Sequence, residues 1–161
     1  MEESNKKIYT DKEYCLHVWG PFACFTRPEM KVERVSYDVI TPSAARAIFQ
    51  AIFWKPAIRW EVTKIEVLAP IKRFAIKRNE VASIMSKGSK GIDITADRRQ
   101  RASYILRDVD YRIYAKMIYI PLKNRSLECQ KHYKEVYTDD ERAAENPVKY
   151  QEIFERRANK G

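Results

Sequence analysis

The feature that most constrains this chain is a long alternation of apolar and polar residues from Tyr104 to Ile120. One parity carries Val109, Tyr111, Ile113, Ala115, Met117 and Tyr119, and the other carries Asp110, Arg112, Tyr114 and Lys116. Successive side chains of a β-strand point to opposite faces of its sheet, so this run predicts one long strand with one buried face. We expect the other strands and the helices to pack against this strand.

Two shorter runs also alternate and predict strands. Residues 14–19 form the first, which Gly20-Pro21 is expected to end. Residues 58–67 form the second, and the slip in its alternation at Lys64 indicates a bulge.

Two helices are signalled by a capping residue followed by proline. Thr41-Pro42 and Asn146-Pro147 each place an N-cap side chain before a proline at the first helical position. Apolar residues at helical spacing follow both, and Trp54-Lys55-Pro56 ends the first helix because proline disfavours helical geometry in the preceding residue.

The order strand, helix, strand, strand, helix predicts an α+β chain of the ferredoxin-like, RNA-recognition-motif-like type, a split β-α-β-β-α arrangement. We expect a single domain over residues 1–161 with a flexible N-terminus at 1–12, and a sheet ordered first, third, second strand. A fold of this kind does not by itself define a function.

The net charge of +9 makes a polyanion the natural partner. Residues 72–101 carry nine basic and three acidic side chains. This segment predicts a basic hairpin insertion that grips a phosphate backbone, and a solvated loop is the alternative. The candidate RNA-binding residues of the whole chain are Arg27, Lys31, Arg34, Arg46, Lys55, Lys77, Arg78, Lys87, Lys90, Arg98, Arg99 and Arg101.

Aromatic residues lie among these positive charges. They are Phe22, Phe25, Tyr37, Phe53, Trp54 and Trp60. Most are expected to pack in the core, and one or two to stack on unpaired bases.

Metal and cofactor chemistry is not signalled. Cys15, Cys24 and Cys129 have no zinc spacing, His17 and His132 have none either, and no phosphate-binding glycine loop is present. No apolar run reaches the roughly 18 residues that a membrane span needs. We therefore expect a cytoplasmic protein with reduced thiols, no cofactor, no metal and no membrane partner.

Metal-free RNA cleavage remains open to the residue types present, because histidine, tyrosine, lysine and arginine can supply a base, an acid and a cation. Lys149 is at the third position of the last helix, where it would suit an RNA phosphate or simply be solvated. His17 either packs in its strand or takes part in catalysis. His132 lies in a polar stretch.

The block from Gly20 to Arg46 contains Thr-Arg-Pro-Glu and Thr-Pro-Ser, and Phe-Trp-Lys-Pro-Ala-Ile follows from Phe53. In these motifs the chain resembles subtype d of the CRISPR-associated Cas-five family, from type I-C systems. Further similar stretches are Lys-Arg-Asn-Glu-Val from Lys77, residues 97–111, and the Asn-Pro-x-Lys run at 146–157.

The resemblance implies a metal-independent endoribonuclease that cuts CRISPR repeat transcripts and leaves a 2′,3′-cyclic phosphate. It implies that the protein then stays on the 5′ handle as a subunit of the surveillance complex, beside the backbone and large subunits. In one branch of the family the resemblance implies a site made of a tyrosine just before Trp-Lys-Pro and a Lys-His pair at the start of the last helix. Here Phe53 is at the position of that tyrosine, Lys149 is kept, and Tyr150 is at the position of the histidine. The expected catalytic set is therefore Lys149, Tyr150, Tyr37, Phe53 (as the position of the family tyrosine), His17 and His132.

Family members normally continue past Gly161, so the resemblance implies that the last ferredoxin strand and a C-terminal β region are missing here. Two other functions stay open. One is a catalytically inactive RNA-binding subunit of the same complex, and the other is an unrelated basic structural protein.

Overall fold

The computed structural model describes residues 11–88, 90–137 and 145–160 and shows an α+β chain. The elements, numbered here in chain order, are β1 (Lys12–Ala23), α1 (Pro42–Ile52), β2 (Ile58–Val67), β3 (Lys72–Val81), β4 (Arg98–Tyr119), a 3-10 turn (Leu122–Asn124), α2 (Leu127–Val136) and α3 (Pro147–Ala158). Residues 1–10 of the predicted flexible N-terminus lie outside the described residues, and Lys12 begins β1.

The long strand β4 is the centre of the sheet. The strand order is β1-β4-β2, which confirms the order expected from the sequence, and β3 pairs with β4 as well. β3 and β4 run antiparallel, from Lys72 opposite Arg107 to Val81 opposite Arg98. This pairing explains why β4 begins at Arg98 and not at Tyr104, where the apolar alternation starts.

The chain divides into two compact units. The terminal unit comprises Met1–Leu16, Pro42–Ile65 and Ile113–Gly161, and it contains all three helices named above. The hairpin unit comprises His17–Thr41 and Glu66–Arg112, and it contains the β3–β4 hairpin. The single domain predicted from the sequence stays a prediction.

An aromatic cluster forms the core of the terminal unit. Phe154 on α3 lies 4.6 Å from the ring of Trp60 on β2, 4.8 Å from Tyr14 on β1 and 5.9 Å from Phe49 on α1. Trp60 is buried and donates its indole N–H to the carbonyl oxygen of Phe53 at 3.0 Å. One ring from each of four elements therefore joins the two helices to the sheet.

The core of the hairpin unit includes Ile105, Leu106 and Tyr111 of β4. Ile105 and Leu106 are consecutive and both buried, and Asp108 has a φ of 51°. Such a left-handed residue inside a strand marks a local break in regular pairing. Tyr111 follows, packed edge-on against Phe25, and its burial raises the pKa of its hydroxyl.

The predicted helix starts are confirmed at Pro42 and Pro147, and the Asn146 side chain caps α3 by accepting from the Val148 N–H at 3.0 Å. The predicted end of β1 is wrong, since the strand continues through Gly20-Pro21 to Ala23. β1 is at the end of the described strand order, and a proline without an N–H is tolerated on an edge strand.

Helix α2 was not predicted. Its first turn is capped by Ser126, whose hydroxyl accepts from the Cys129 N–H at 3.3 Å. Its sequence lacks the apolar stripe that marks a core helix, and none of its residues is fully buried. No helix among the described residues is long and apolar enough to cross a membrane.

The aromatic cluster predicts a large cost for removing Phe154. We expect Phe154→Ala to lower the free energy of unfolding by about 3–5 kcal/mol, because the change leaves a cavity between three rings. Urea unfolding followed by tryptophan fluorescence measures this. Leu127→Ala is the control, since Leu127 is exposed on α2 and should change stability by less than about 0.5 kcal/mol. A Phe154→Ala effect as small as the control's would contradict the assigned core.

Candidate active site

A cleft of about 570 Å³ lies within the terminal unit, lined by α2, the start of α3 and residues 55–57, which precede β2. Four of the candidate catalytic and RNA-binding residues line it: Lys55, His132, Lys149 and Tyr150. The others are Pro56, Ala57, Arg125, Cys129, Tyr133, Val136, Tyr137, Glu145, Asn146 and Ile153.

Lys149 reaches this cleft from the third position of α3. The backbone N–H groups of Val148 and Lys149 are already bound, the first to the Asn146 side chain and the second to its carbonyl oxygen. The attraction of this helix start for a phosphate therefore rests on the Lys149 ammonium more than on free amides. Lys149 and Lys55 are both exposed, and neither ammonium forms an ion pair with another described residue.

A buried ion pair forms the base of the cleft. The Arg125 Nη2 lies 2.7 and 2.9 Å from the two carboxylate oxygens of Glu145, and its Nε donates to the Ile120 carbonyl oxygen at 2.9 Å. The two side chains are 3% and 9% exposed. Burial opposes the charge on Arg125, but the hydrogen bond and the negative charge of Glu145 outweigh it, so the pKa of Arg125 is raised.

Aromatic rings surround this pair. The Arg125 guanidinium lies 5.9 Å from the centre of the Tyr119 ring and 5.4 Å from that of Tyr133. The hydroxyls of Tyr119 and Tyr150 donate to the Glu145 carboxylate at 3.0 and 2.7 Å. Glu145 thus joins the end of β4 to α3 through three donors.

Tyr150 is bound in a way that disfavours an acid–base role. Burial, with the hydrogen bond to Glu145, raises the pKa of Tyr150 well above its ordinary value, and the same causes raise the pKa of Tyr119 to about 12. A hydroxyl that holds its proton this firmly and donates it to a carboxylate is a poor base near neutral pH. Its role in the structure is to fix the start of α3.

Phe53, the position of the family tyrosine, is buried and carries no group that could transfer a proton. Its ring lies 6.1 Å from Tyr150, and the Arg157 guanidinium lies 5.3 Å above it. Phe53 is therefore a packing neighbour of the cleft.

His132 is exposed on α2 and lines the cleft. Its imidazole forms no hydrogen bond with another described residue, so both nitrogens remain available on this part of the surface. Histidine is the side chain best suited to exchange a proton near neutral pH. Cys129, one turn earlier, also lines the cleft.

His17 and Tyr37 belong to the hairpin unit and have partners there. The Nε2 of His17 lies 2.7 Å from a carboxylate oxygen of Asp110, and the ring of Tyr37 lies 5.2 Å beneath the Arg27 guanidinium. Neither lines the cleft of the terminal unit.

The basic candidates in the hairpin unit differ in how far their charge is used internally. Arg78 bonds the Ser103 hydroxyl at 2.6 Å and pairs with Glu80. Within the described residues, no ion pair or hydrogen bond involves the side chains of Lys77, Lys87, Lys90, Arg98, Arg99 and Arg101. Arg78 lies directly opposite Arg101 across the hairpin, a juxtaposition of like charges that an anion would relieve.

The remaining basic candidates lie on loops and on α1. Lys31 and Arg34 are exposed in the hairpin unit, where Arg27 is half-buried. Arg46 lies on α1 beside Arg59, where both line a shallow groove of the terminal unit.

Sequence reasoning missed Arg125, Glu145 and Tyr119. Each is an ordinary residue type in an ordinary context, and they meet only because α2 and α3 fold toward the end of β4. An isolated Arg in Asn124-Arg125-Ser126 carries no local signal of burial.

The buried pair predicts that Glu145→Gln is costly. It leaves the Arg125 guanidinium without its counter-charge, and breaking a buried pair in this way costs about 3–5 kcal/mol. Urea unfolding measures the cost, and absorbance titration of the tyrosines should show the pKa values of Tyr119 and Tyr150 falling. Glu61→Gln is the matched control, because Glu61 and Arg59 form an exposed pair at 3.9 Å whose removal should cost under about 1 kcal/mol. Equal destabilisation of the two variants would contradict the buried pair.

Known proteins of one family match this chain along most of its length. The family model Cas_Cas5d, described as CRISPR-associated protein (Cas_Cas5), matches residues 13–157. The chain is 46% identical over 158 residues to a Mannheimia succiniciproducens protein named CRISPR pre-crRNA endoribonuclease Cas5d, covering 91% of this chain and 62% of that protein. A Thermus thermophilus protein of the same name is 45% identical over 144 residues, covering 89% and 53%.

A solved structure titled Crystal Structure of CRISPR-associated Protein superimposes with a TM-score of 0.57 at 24% identity, covering 96% of this chain and 59% of that one. At that identity the likeness concerns the fold alone. The chain spans between half and two thirds of the length of each of these proteins. From the matched family model and these two relatives, the chain belongs to the Cas5d family of CRISPR-associated proteins.

Proposed function

We propose that this chain binds CRISPR repeat transcripts in the cytoplasm and cuts them without a metal ion, leaving a 2′,3′-cyclic phosphate. We further propose that it stays on the 5′ handle as a subunit of the type I-C surveillance complex, in contact with its backbone and large subunits. Membership of the Cas5d family and the names of its two relatives support the RNA-processing part. The remaining parts rest on the resemblance and on the chemistry of the cleft.

The observation that carries the proposal is the charge distribution of the cleft. Arg125 and Glu145 neutralise each other below it. Lys55 and Lys149 bring to its walls two positive charges that no described carboxylate pairs, and His132 brings an exposed imidazole. An RNA phosphate supplies the negative charge that this arrangement lacks.

The reaction needs no redox partner and balances within the RNA. The 2′-oxygen attacks the adjacent phosphorus, the bond from phosphorus to the 5′-oxygen breaks, and the cyclic phosphate forms. We assign the removal of the 2′-hydroxyl proton to His132. We assign to Lys149 the stabilisation of the developing phosphorane charge and the donation of a proton to the leaving 5′-oxygen, and to Lys55 the binding of a neighbouring phosphate.

We also propose that the fold is ferredoxin-like, with β1, α1, β2, the second part of β4 and α3 as the split β-α-β-β-α arrangement. The strand order β1-β4-β2 and the likeness to the solved CRISPR-associated structure support this. The β3–β4 hairpin is then the basic insertion within residues 72–101, and its cations suit a phosphate backbone.

A catalytically inactive RNA-binding subunit is the second candidate. It is favoured by two observations: Phe53 is buried where the family tyrosine is expected, and the Tyr150 hydroxyl donates its proton to Glu145. Both candidates require RNA binding, and they differ only in whether a product forms.

Cleavage of a repeat hairpin in EDTA tests the enzyme. We expect a product with a cyclic phosphate end, and we expect Lys149→Ala to lower the single-turnover rate by at least about 100-fold while affinity changes only a few-fold. Lys160→Ala is the matched control, since this exposed lysine follows the other end of α3 and should cleave like the wild type.

Each other outcome decides between the candidates. Tight binding by the wild type without product favours the inactive subunit. Equal affinity for repeat RNA and for random RNA of the same length would favour a merely basic structural protein. Cleavage by Lys149→Ala at the wild-type rate would refute the role given to this residue.

The salt dependence of binding tests the hairpin. We expect that neutralising Lys87, Lys90, Arg98, Arg99 and Arg101 weakens binding to RNA of any sequence. The log–log salt slope should fall by about 0.7 for each phosphate of single-stranded RNA that the variant no longer neutralises. Fluorescence anisotropy at several salt concentrations measures the slope. Lys123→Gln, an exposed cation outside the cleft lining, should leave it unchanged, and an unchanged slope in the hairpin variant would mean that these residues do not bind RNA.

A further inference from the structure

The indole of Trp19 is the most exposed of the three tryptophan side chains, with 69% of the residue accessible to solvent. The ring is not free to move at random. It lies 4.6 Å from the His17 ring at an interplanar angle of 32°, and the Nε2 of His17 is fixed 2.7 Å from a carboxylate oxygen of Asp110. One side of the indole is thus supported while most of it remains open.

A large flat apolar ring that is exposed to solvent lacks the hydrophobic stabilisation that a buried ring gains. Trp60 is such a buried ring. Other aromatic rings of the hairpin unit are exposed as well. In the same hairpin unit, Phe22 is exposed and stacks on Phe74 at 5.9 Å, and the Arg107 guanidinium lies 6.0 Å from the Phe74 ring. The hairpin unit thus leaves a second pair of rings partly open to solvent, separate from the Trp19–His17 pair.

The charge of the hairpin unit indicates which ligand covers the ring. Its two segments contain 14 lysines and arginines against 9 aspartates and glutamates. A ligand that is flat and apolar on its face and anionic along its backbone matches exposed rings on a basic unit, and a single-stranded nucleic acid has both properties. An acidic protein would match the positive charge of the hairpin unit. Its charge would not account for an exposed indole that the His17 ring supports.

We propose that Trp19 is a stacking platform for one unpaired nucleobase of the bound RNA, and that His17 is the positioning residue that holds the indole. This inference rests on the proposed function, in which the ligand is RNA. Stacking accepts any base, so the platform adds affinity without selecting a sequence. It also assigns to His17 a task outside the chemistry of the cleft.

Intrinsic fluorescence offers a direct test, because the chain has three tryptophans and Trp60 is buried. In a Trp54→Phe background, the only exposed indole is that of Trp19. Binding of a single-stranded segment of repeat RNA should then quench the emission, and the quench should disappear when Trp19→Phe is added. Quenching that survives in the double variant would overturn the proposal.

Affinity measurements separate stacking from charge. Trp19→Ala should raise Kd by about 5- to 150-fold, while Trp19→Phe, which keeps a ring, stays within about threefold of the wild type. The salt slope should not change in either variant, because an indole releases no counterions. His17→Ala should weaken binding less than Trp19→Ala does, and Leu127→Ala, an exposed apolar residue of α2, should have no effect.

Abasic substitution locates the stacked base. RNAs that each lack one base are bound to wild type and to Trp19→Ala, and at one position the difference between the two proteins should vanish. A difference that persists at every position, or a Trp19→Ala affinity equal to wild type, contradicts the platform. Normal RNA affinity with impaired association to partner proteins would show a protein surface instead. Failure of the platform with cleavage intact leaves the proposed function standing, whereas failure of wild-type RNA binding removes both.

Discussion

The candidate site depends on the buried ion pair between Arg125 and Glu145. The guanidinium is bound to the end of β4 through the Ile120 carbonyl and lies against Tyr133 of α2, while the carboxylate accepts from Tyr150 of α3. Two charges out of water are tolerated only when their donors and acceptors are satisfied, and here both are. The pair thereby fixes the two helices that form the walls of the cleft and sets where Lys149 and His132 can point.

The arrangement separates residues that hold the site from residues that could act in it. The residues that hold the site are buried or half-buried and bind one another: Arg125, Glu145, Tyr119 and Tyr150. Their charges neutralise each other, and their hydroxyl protons are held in hydrogen bonds to Glu145. Three side chains on the surface of the cleft form no ion pair or hydrogen bond with another described residue: Lys55, His132 and Lys149. The hairpin unit shows the same separation. Arg78 is bound internally, whereas Lys77, Arg99 and Arg101 form no ion pair with a described residue.

Local pattern was enough to predict most of the elements. The alternation around Ile113 and the proline after Thr41 and Asn146 placed β4, α1 and α3, because each is a short-range preference that survives folding. The exposed helix α2 was missed, since a helix stabilised by its cap and by Arg125 packing has no apolar stripe to find. Of the site, His132 and Lys55 are found by residue type, and Lys149 is found by its place near a helix start and by the family resemblance. Their convergence, the buried Glu145 and the unsuitability of Tyr150 as an acid–base group arise only from interactions between elements distant in sequence.

We propose that the scissile nucleotide lies in the cleft between α2 and α3. A repeat RNA that carries 2′-deoxy-4-thiouridine immediately 5′ of the cleavage site tests this position. The missing 2′-hydroxyl blocks the reaction, and light then cross-links the base to the side chains around it. If the nucleotide lies in the cleft, we expect cross-linked peptides from residues 127–137 or 145–153. Efficient cross-linking confined to peptides outside the cleft lining, from a protein that cleaves the unmodified RNA, would contradict it.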